Sequence, residues 1–277
     1  MSEQARGDLA ADRSQSDQTD PDAGHIPHPA ILTAAAPAPG LRWYPPAVMA
    51  AAAEVLRAIT VHADPARAVA EKRYLKSDLQ FLGASVPKVR AALRGVVRER
   101  PGLDRAGVRG LATELWGSPL WEMRLAAVEL LAHRVGLLTS ADFDLIESLI
   151  RQSLTWALVD PLSTNVAGRI VERDPAGTGP WLDRWATDPD FWVRRASLLS
   201  LLPGLRRGAG DFDRFGRYAD PMLEEREFFI RKAIGWILRE TGKRRPELVR
   251  GWLGPRAGRA SGLTIREAAK YLPGREL

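Results

Sequence analysis

One short element recurs through this chain and constrains its fold more than any other feature. Arg-x-Ala, with an aromatic residue two or three places before the arginine, occurs in LWEMRLAAVELL (Arg124, Ala126), FWVRRASLLSLL (Arg194, Ala196) and FFIRKAIGWILR (Arg231, Ala233). A further copy without the aromatic lies in LTIREAAKYL (Arg266, Ala268). The arginines are 70, 37 and 35 residues apart, and 70 is twice 35, so a copy is missing near Val159. The stretch found there, TWALVDPLS, keeps the aromatic as Trp156 and has lost both the arginine and the alanine. It also carries Asp160, a carboxylate four residues from Trp156 and so on the same face of a helix.

The segments around these elements are helical in pattern. AVMAAAAEVLRAI from Ala47, EMRLAAVELLAHRV from Glu122 and DFDLIESLIRQSL from Asp142 space their apolar residues three and four apart. Punctuation agrees, with Ser140 as a candidate N-cap, Pro246 at the first turn of PELVRGWL and Gly136 as a candidate helix end. No segment alternates as a strand would. A period near 35 with two helices per unit predicts an all-α fold, an α-solenoid of HEAT-like repeats presenting a concave groove.

Charge divides the chain. Residues 1–40 hold six acidic and two basic groups, a net of −4, which leaves 38 basic against 28 acidic groups, or +10, on the rest. The first stretch is rich in Ala, Pro, Asp, Ser and Gln, and buries too little apolar surface to offset its ordering entropy. Residues 1–42 are therefore expected to form a disordered acidic tail and residues 43–277 a single repeat domain. Cysteine is absent, which removes disulfides and thiolate metal sites. The four histidines, at 25, 28, 62 and 133, are too scattered for a metal centre, so no metal or other cofactor is expected and carboxylates must carry any catalysis. Without an apolar run of about 18 residues or a secretory leader, neither a membrane span nor export is expected.

Repetition also fixes neighbours. The position after each arginine slot is Leu125, Asp160, Arg195, Lys232 and Glu267, a row along one face, and Asp160 and Arg195 lie 35 apart at matching sites of adjacent repeats. Arg194, Arg231, Arg239, Lys243, Arg244 and Arg245 surround them, with Trp192 and Trp236. Cations interleaved with indoles suit an anionic polymer with apolar edges, which makes nucleic acid the leading partner. LPGLRRGAG at 202–210 reads as a glycine-rich basic loop between repeats, able to meet phosphate through Arg206 and Arg207.

Several of these stretches together resemble a known family. YLKSDLQFLGASVPKVR (74–90), TWALVD, FWVRRA, FFIRKAIGWILRE and LTIREAAKYL resemble, in order and spacing, the motifs of the AlkD-like DNA alkylation-repair glycosylases, over about residues 50–273. The resemblance implies a monomeric solenoid that binds duplex DNA and excises positively charged N3- and N7-alkylated purines, bulky adducts included, while the lesion stays in the stack. It implies that Asp160 matches the catalytic aspartate, Trp156 and Trp236 the two lesion-facing tryptophans, and Arg195 an arginine gripping the DNA backbone, with Arg194 beside it. Lys232, Arg206, Arg207 and Lys243 complete the expected DNA-binding set. Such an enzyme is expected in the cytoplasm, at the nucleoid.

Structural alternatives stand beside these roles. Trp156 and Trp236 also suit a core between layers, Asp160 before Pro161 suits a helix end, and Arg194 and Arg195 suit ion pairs with Asp188 or Asp190. The same groove without chemistry would make a DNA- or protein-binding scaffold. Ala157 and Asp78 depart from the family pattern, the first beside the expected water position and the second in the N-terminal element. The acidic tail has the sign to compete with DNA for a basic groove. Deleting residues 1–40 is expected to tighten DNA binding at low salt, and equal affinity in a titration of both forms would remove the competition.

Overall fold

The computed structural model describes residues 46–272. The expected acidic tail and its boundary at residue 43 lie outside the described residues. Fifteen helical segments can be followed. They are α1 (Pro46–Thr60), α2 (Pro65–Leu75), α3 (Val86–Arg98), α4 (Arg105–Trp116), α5 (Trp121–His133), α6 (Phe143–Ser153), α7 (Trp156–Pro161) and α8 (Gly168–Arg173). The remainder are α9 (Pro175–Trp185), α10 (Phe191–Leu199), α11 (Leu202–Arg206), α12 (Phe212–Met222), α13 (Phe228–Gly242), α14 (Pro246–Leu253) and α15 (Gly262–Ala268). The described residues contain no strand, only an isolated bridge between Gln80 and Leu120. No single described helix is long and apolar enough to cross a membrane.

The expected repeat is present. Helices α5, α7, α10, α13 and α15 form a trailing row that begins at residues 121, 156, 191, 228 and 262. Each of the first four packs against the next in the row and against the helix that leads into its own repeat, α4, α6, α9 or α12. The alanine slot explains itself here, because Ala126, Ala196, Ala233 and Ala268 are fully buried and let neighbouring helices approach. One apolar cluster runs through all repeats, with Phe143, Trp185 and Phe215 among its largest members.

The arginine slot is a clamp. Arg124 Nε donates to the Ser118 carbonyl at 3.3 Å, Arg194 Nη1 to Asp188 at 2.7 Å and Arg231 Nε to Glu225 at 2.8 Å. Each reaches six residues back into the turn before its helix and satisfies a carbonyl that the turn leaves open. The copy at Val159 has no such group, and its helix is started instead by Thr155, whose hydroxyl accepts from the Ala157 N–H at 3.4 Å.

Four local expectations are corrected. Thr139, not Ser140, caps the turn before α6, because its hydroxyl and the Asp142 carboxylate close a reciprocal capping box. Helix α5 ends at His133, three residues before Gly136, which lies in a 3₁₀ turn. Asp160-Pro161 does not end its helix, since the chain continues through a π-helical turn, Leu162–Ala167, into α8. The supposed loop at 202–210 is helical in its first half, and only its Gly208–Gly210 end turns, with φ of 80° and 83° at those glycines.

The segment after α2 is fastened to the trailing row by a buried carboxylate. Glu122, wholly buried, accepts the Leu82 N–H at 3.0 Å and the Gly83 N–H at 2.6 Å. Gly83 has φ +81°, and a Cβ there would sit 2.0 Å from the Asp64 carbonyl oxygen. Helix α2 itself buries no residue completely. Gly83→Ala is therefore expected to lower unfolding free energy by about 2–3 kcal/mol, whereas Gly95→Ala, with nothing within 4 Å of the new methyl, should raise it by about 0.5–1 kcal/mol. Urea denaturation of both variants checks the pair.

Candidate active site and nucleic-acid interface

Asp160 and Arg195 meet as the repeat arithmetic predicts. Arg195 Nε and Nη2 donate side-on to the two Asp160 oxygens at 2.8 and 2.7 Å. The third nitrogen, Nη1, donates to the Phe229 carbonyl at 2.5 Å, and the guanidinium lies 5.8 Å from the Phe229 ring centre. The arginine side chain is 3% exposed and the aspartate 15%. Arg195, expected to grip the DNA backbone, is buried and directs all three guanidinium nitrogens to Asp160 and the Phe229 carbonyl. Arg195 is a positioning residue that orients the carboxylate from the neighbouring repeat.

The backbone under Asp160 is shaped by its neighbour. Pro161 brings no N–H to the helix and occupies the slot that holds alanine elsewhere. The chain responds with the π turn, where Thr164 Oγ1 donates to the Asp160 carbonyl at 2.8 Å and Ser163 Oγ to the Val159 carbonyl at 2.7 Å. One-turn π bulges gather at functional sites because they re-aim side chains without ending a helix.

Trp156, the first residue of α7, is half-buried and meets Tyr74 edge-to-face, with ring centres 6.1 Å apart at 87°. Tyr74 stands on α2 and is 50% exposed. Trp236 is also half-buried, two turns along α13 from the Phe229 carbonyl that holds Arg195. The structure thus joins Asp160 to Arg195 and, on the same helix face, to Trp156. No hydrogen bond or ring contact joins Trp236 to Asp160 among the described residues, and Trp236 belongs to a second cluster.

That cluster is organised by Glu240, one turn after Trp236. Its carboxylate, 5% exposed, lies 2.8 Å from Lys243 Nζ, 3.2 Å from Arg206 Nε and 3.4 Å from Arg239 Nε. Burial pushes the Glu240 carboxyl up, but the Lys243 hydrogen bond and the charges of Arg206, Lys243 and Arg239 outweigh it and hold the pKa below the usual value. Arg206 is thereby drawn to 5.9 Å from the Trp236 ring centre, and Lys243 to 4.8 Å from that of Tyr271. Arg207 pairs with Glu172 and is 54% exposed. Lys232 is half-buried on α13.

Arg194 is likewise committed. Besides its clamp on Asp188 it donates to Glu225 through Nε at 3.0 Å and Nη2 at 2.7 Å. Of the two acids expected to pair with it, Asp188 is taken by Arg151 and Asp190 lies 3.9 Å from the same arginine. Sequence reasoning passed over Glu240 and Tyr74. Glu240 was detectable as the carboxylate at i+4 from Trp236, whereas nothing local announces that Tyr74 reaches Trp156.

Comparisons with known proteins follow the same line. A family model described as DNA alkylation repair enzyme matches residues 55–272. A solved structure described as a predicted DNA alkylation repair enzyme from Enterococcus faecalis aligns with a TM-score of 0.70 at 22% identity, covering 77% of this chain and 98% of that one. The crystal structure of AlkD2 from Streptococcus mutans aligns with a TM-score of 0.55 at 14% identity, covering 81% and 99%. At such identities the structures show the shared fold. No curated protein matches the sequence.

Glu240 gives the cluster a pH signature. Its pKa is lowered on folding, so its contribution is present above the unfolded-state carboxyl pKa and is lost as pH falls through the folded value. Glu240→Gln is expected to cost about 1–3 kcal/mol at neutral pH. That gap should close as urea denaturation is repeated toward pH 3.

Proposed function

The chain belongs to the DNA alkylation repair enzyme family, and from that premise we propose that it is a DNA glycosylase that removes cationic N3- and N7-alkylated purines from duplex DNA. The single observation that carries this reading is the Asp160 carboxylate. It stands beside Trp156 on one helix face, held bidentate by Arg195 from the next repeat, with 15% of its side chain left open.

The chemistry asked of it is modest. An N3- or N7-alkylated purine is already a good leaving group, so the C1′–N bond breaks with its electron pair going to the base, which departs neutral. The sugar becomes an oxocarbenium ion. A fixed anion beside it lowers the barrier, and water then adds to C1′ and gives up a proton. Arg195 occupies one lone-pair direction on each Asp160 oxygen, and the remaining directions are free to orient that water. Preorganisation is the value of the pair, because the carboxylate need not reorient as charge develops. An indole face next to a cationic sugar or base adds about 0.5–2 kcal/mol, and Trp156 is proposed for this role.

The lesion is proposed to remain stacked. Contacts then fall on sugar and phosphate, with little sequence preference. Arg206, Arg207 and Lys243, all more than a third exposed, are the cations proposed to meet phosphate, together with Lys232 on α13.

A second reading, a scaffold without chemistry, draws on the same ion pair, since a carboxylate neutralised by a buried arginine also suits a structural tie. Release of 7-methylguanine or 3-methyladenine from alkylated duplex separates the two. Wild type is expected to release the base, and Asp160→Asn to be slower by at least roughly 100-fold, the scale for loss of one preorganised electrostatic group. Melting curves accompany that variant because it leaves Arg195 buried beside a neutral amide, and Trp236→Ala gives an independent loss without touching the pair. Release that survives Asp160→Asn overturns the assigned role, and no release by folded wild type favours the scaffold.

A further inference from the structure

Arginines in this fold are mostly spoken for, by carboxylates of the adjacent repeat or by carbonyls. Arg94, Arg98 and Arg134 are among those that are not. Among the described residues none of their guanidiniums is paired with an acid or donates to a carbonyl, and Arg134 Nε is buried without a hydrogen-bond partner. Together with His133 these three line one cleft of about 320 Å³.

The elements that bring them together are simple. Arg94 and Arg98 are four apart on α3 and share a face, and His133 and Arg134 are the last residue and C-cap of α5, which packs on α3. The nearest acid on that side, Glu129 one turn before His133, is taken by Arg90 at 2.8 Å. Glu99, beside Arg98, is exposed and makes no ion pair. Cations at helix ends are ordinary when they cap carbonyls, but here the α5 end is closed by backbone, the Arg134 N–H donating to Leu130 at 2.9 Å. Three cations and an imidazole thus line one open cleft. His133 registers the unbalanced charge, since burial, Arg134 and Arg94 together lower its pKa.

We infer that Arg94, Arg98, His133 and Arg134 form a second binding site, for a backbone phosphodiester of duplex DNA away from the lesion. The inference rests on the proposed action on DNA. Asp160 and Arg195, each the fifth residue of its helix, meet side by side, and the same repeat register is taken for α5. His133 then lies roughly 12 Å further along the row's helix axis than Asp160, at about 1.5 Å per residue. It is one helix over, at about 8–10 Å. A duplex held at Asp160 spans that distance.

Histidine NMR signals of the full chain provide the test, with His133 identified by its absence in His133→Gln. A short undamaged duplex is expected to shift the His133 signal and raise its pKa at concentrations far below those at which inorganic phosphate does so. Arg94→Gln/Arg98→Gln changes two exposed residues. It should weaken duplex binding and flatten the slope of log affinity against log salt by about 0.9 for each phosphate no longer neutralised, with the excision rate at saturating enzyme unchanged. A response to phosphate without one to the duplex overturns the inference, as does an unmoved His133 signal with an unchanged salt slope. Binding is read on undamaged DNA, so a wild type that excises nothing sinks the glycosylase reading and leaves this site to be judged by its own data.

Discussion

The fold depends on charge pairs that cross from one repeat to the next. Arg105 and Arg109 reach Asp142, Arg151 reaches Asp188, Arg195 reaches Asp160, Arg207 reaches Glu172 and Arg256 reaches Asp220. A solenoid has no long-range contacts, so each interface must define its own register. Apolar packing supplies most of the cohesion but tolerates sliding and repacking. Desolvation offsets much of what a buried ion pair gains, yet a mismatched one is severely penalised. The carboxylates therefore act mainly to fix how far each helix lies along its neighbour.

The candidate site is one rung of that ladder, altered. At Arg124, Arg194 and Arg231 the arginine slot points back into its own turn, and the alanine slot lets helices touch. At Val159 and Pro161 both functions are given up, the helix takes a π turn, and the next position supplies the carboxylate that joins Arg195. Structural tie and proposed chemistry thus share one interaction. A rung already needed for register holds a carboxylate in place at no further cost in ordered groups.

Much of this was legible because period and neighbour relations are one-dimensional in a solenoid. Counting 35 residues sufficed to place Asp160 against Arg195 and to find the irregular copy. What counting does not reveal is depth. Arg195 and Arg206 look alike in sequence, yet one is buried in three hydrogen bonds and the other lies 39% exposed over an indole. The difference comes from the residue one repeat away, a carboxylate at Asp160 and the crowded Glu240, and from the Phe229 carbonyl. Local signals also misled where two neighbours competed for one role, as with Thr139 and Ser140, where only Thr139 meets the Asp142 reciprocal bond.

Helix α2 buries no residue completely, yet it carries the tyrosine that covers Trp156. Opening such an element costs little compared with global unfolding, because it packs on the core through the half-buried Leu75 and is otherwise held by the Gly83 segment. The indole therefore sits beneath a cover whose removal leaves the rest of the row intact. Tyr74 thus lays an aromatic edge on Trp156 from an element that the core holds only lightly, so that shifting it need not expose the core.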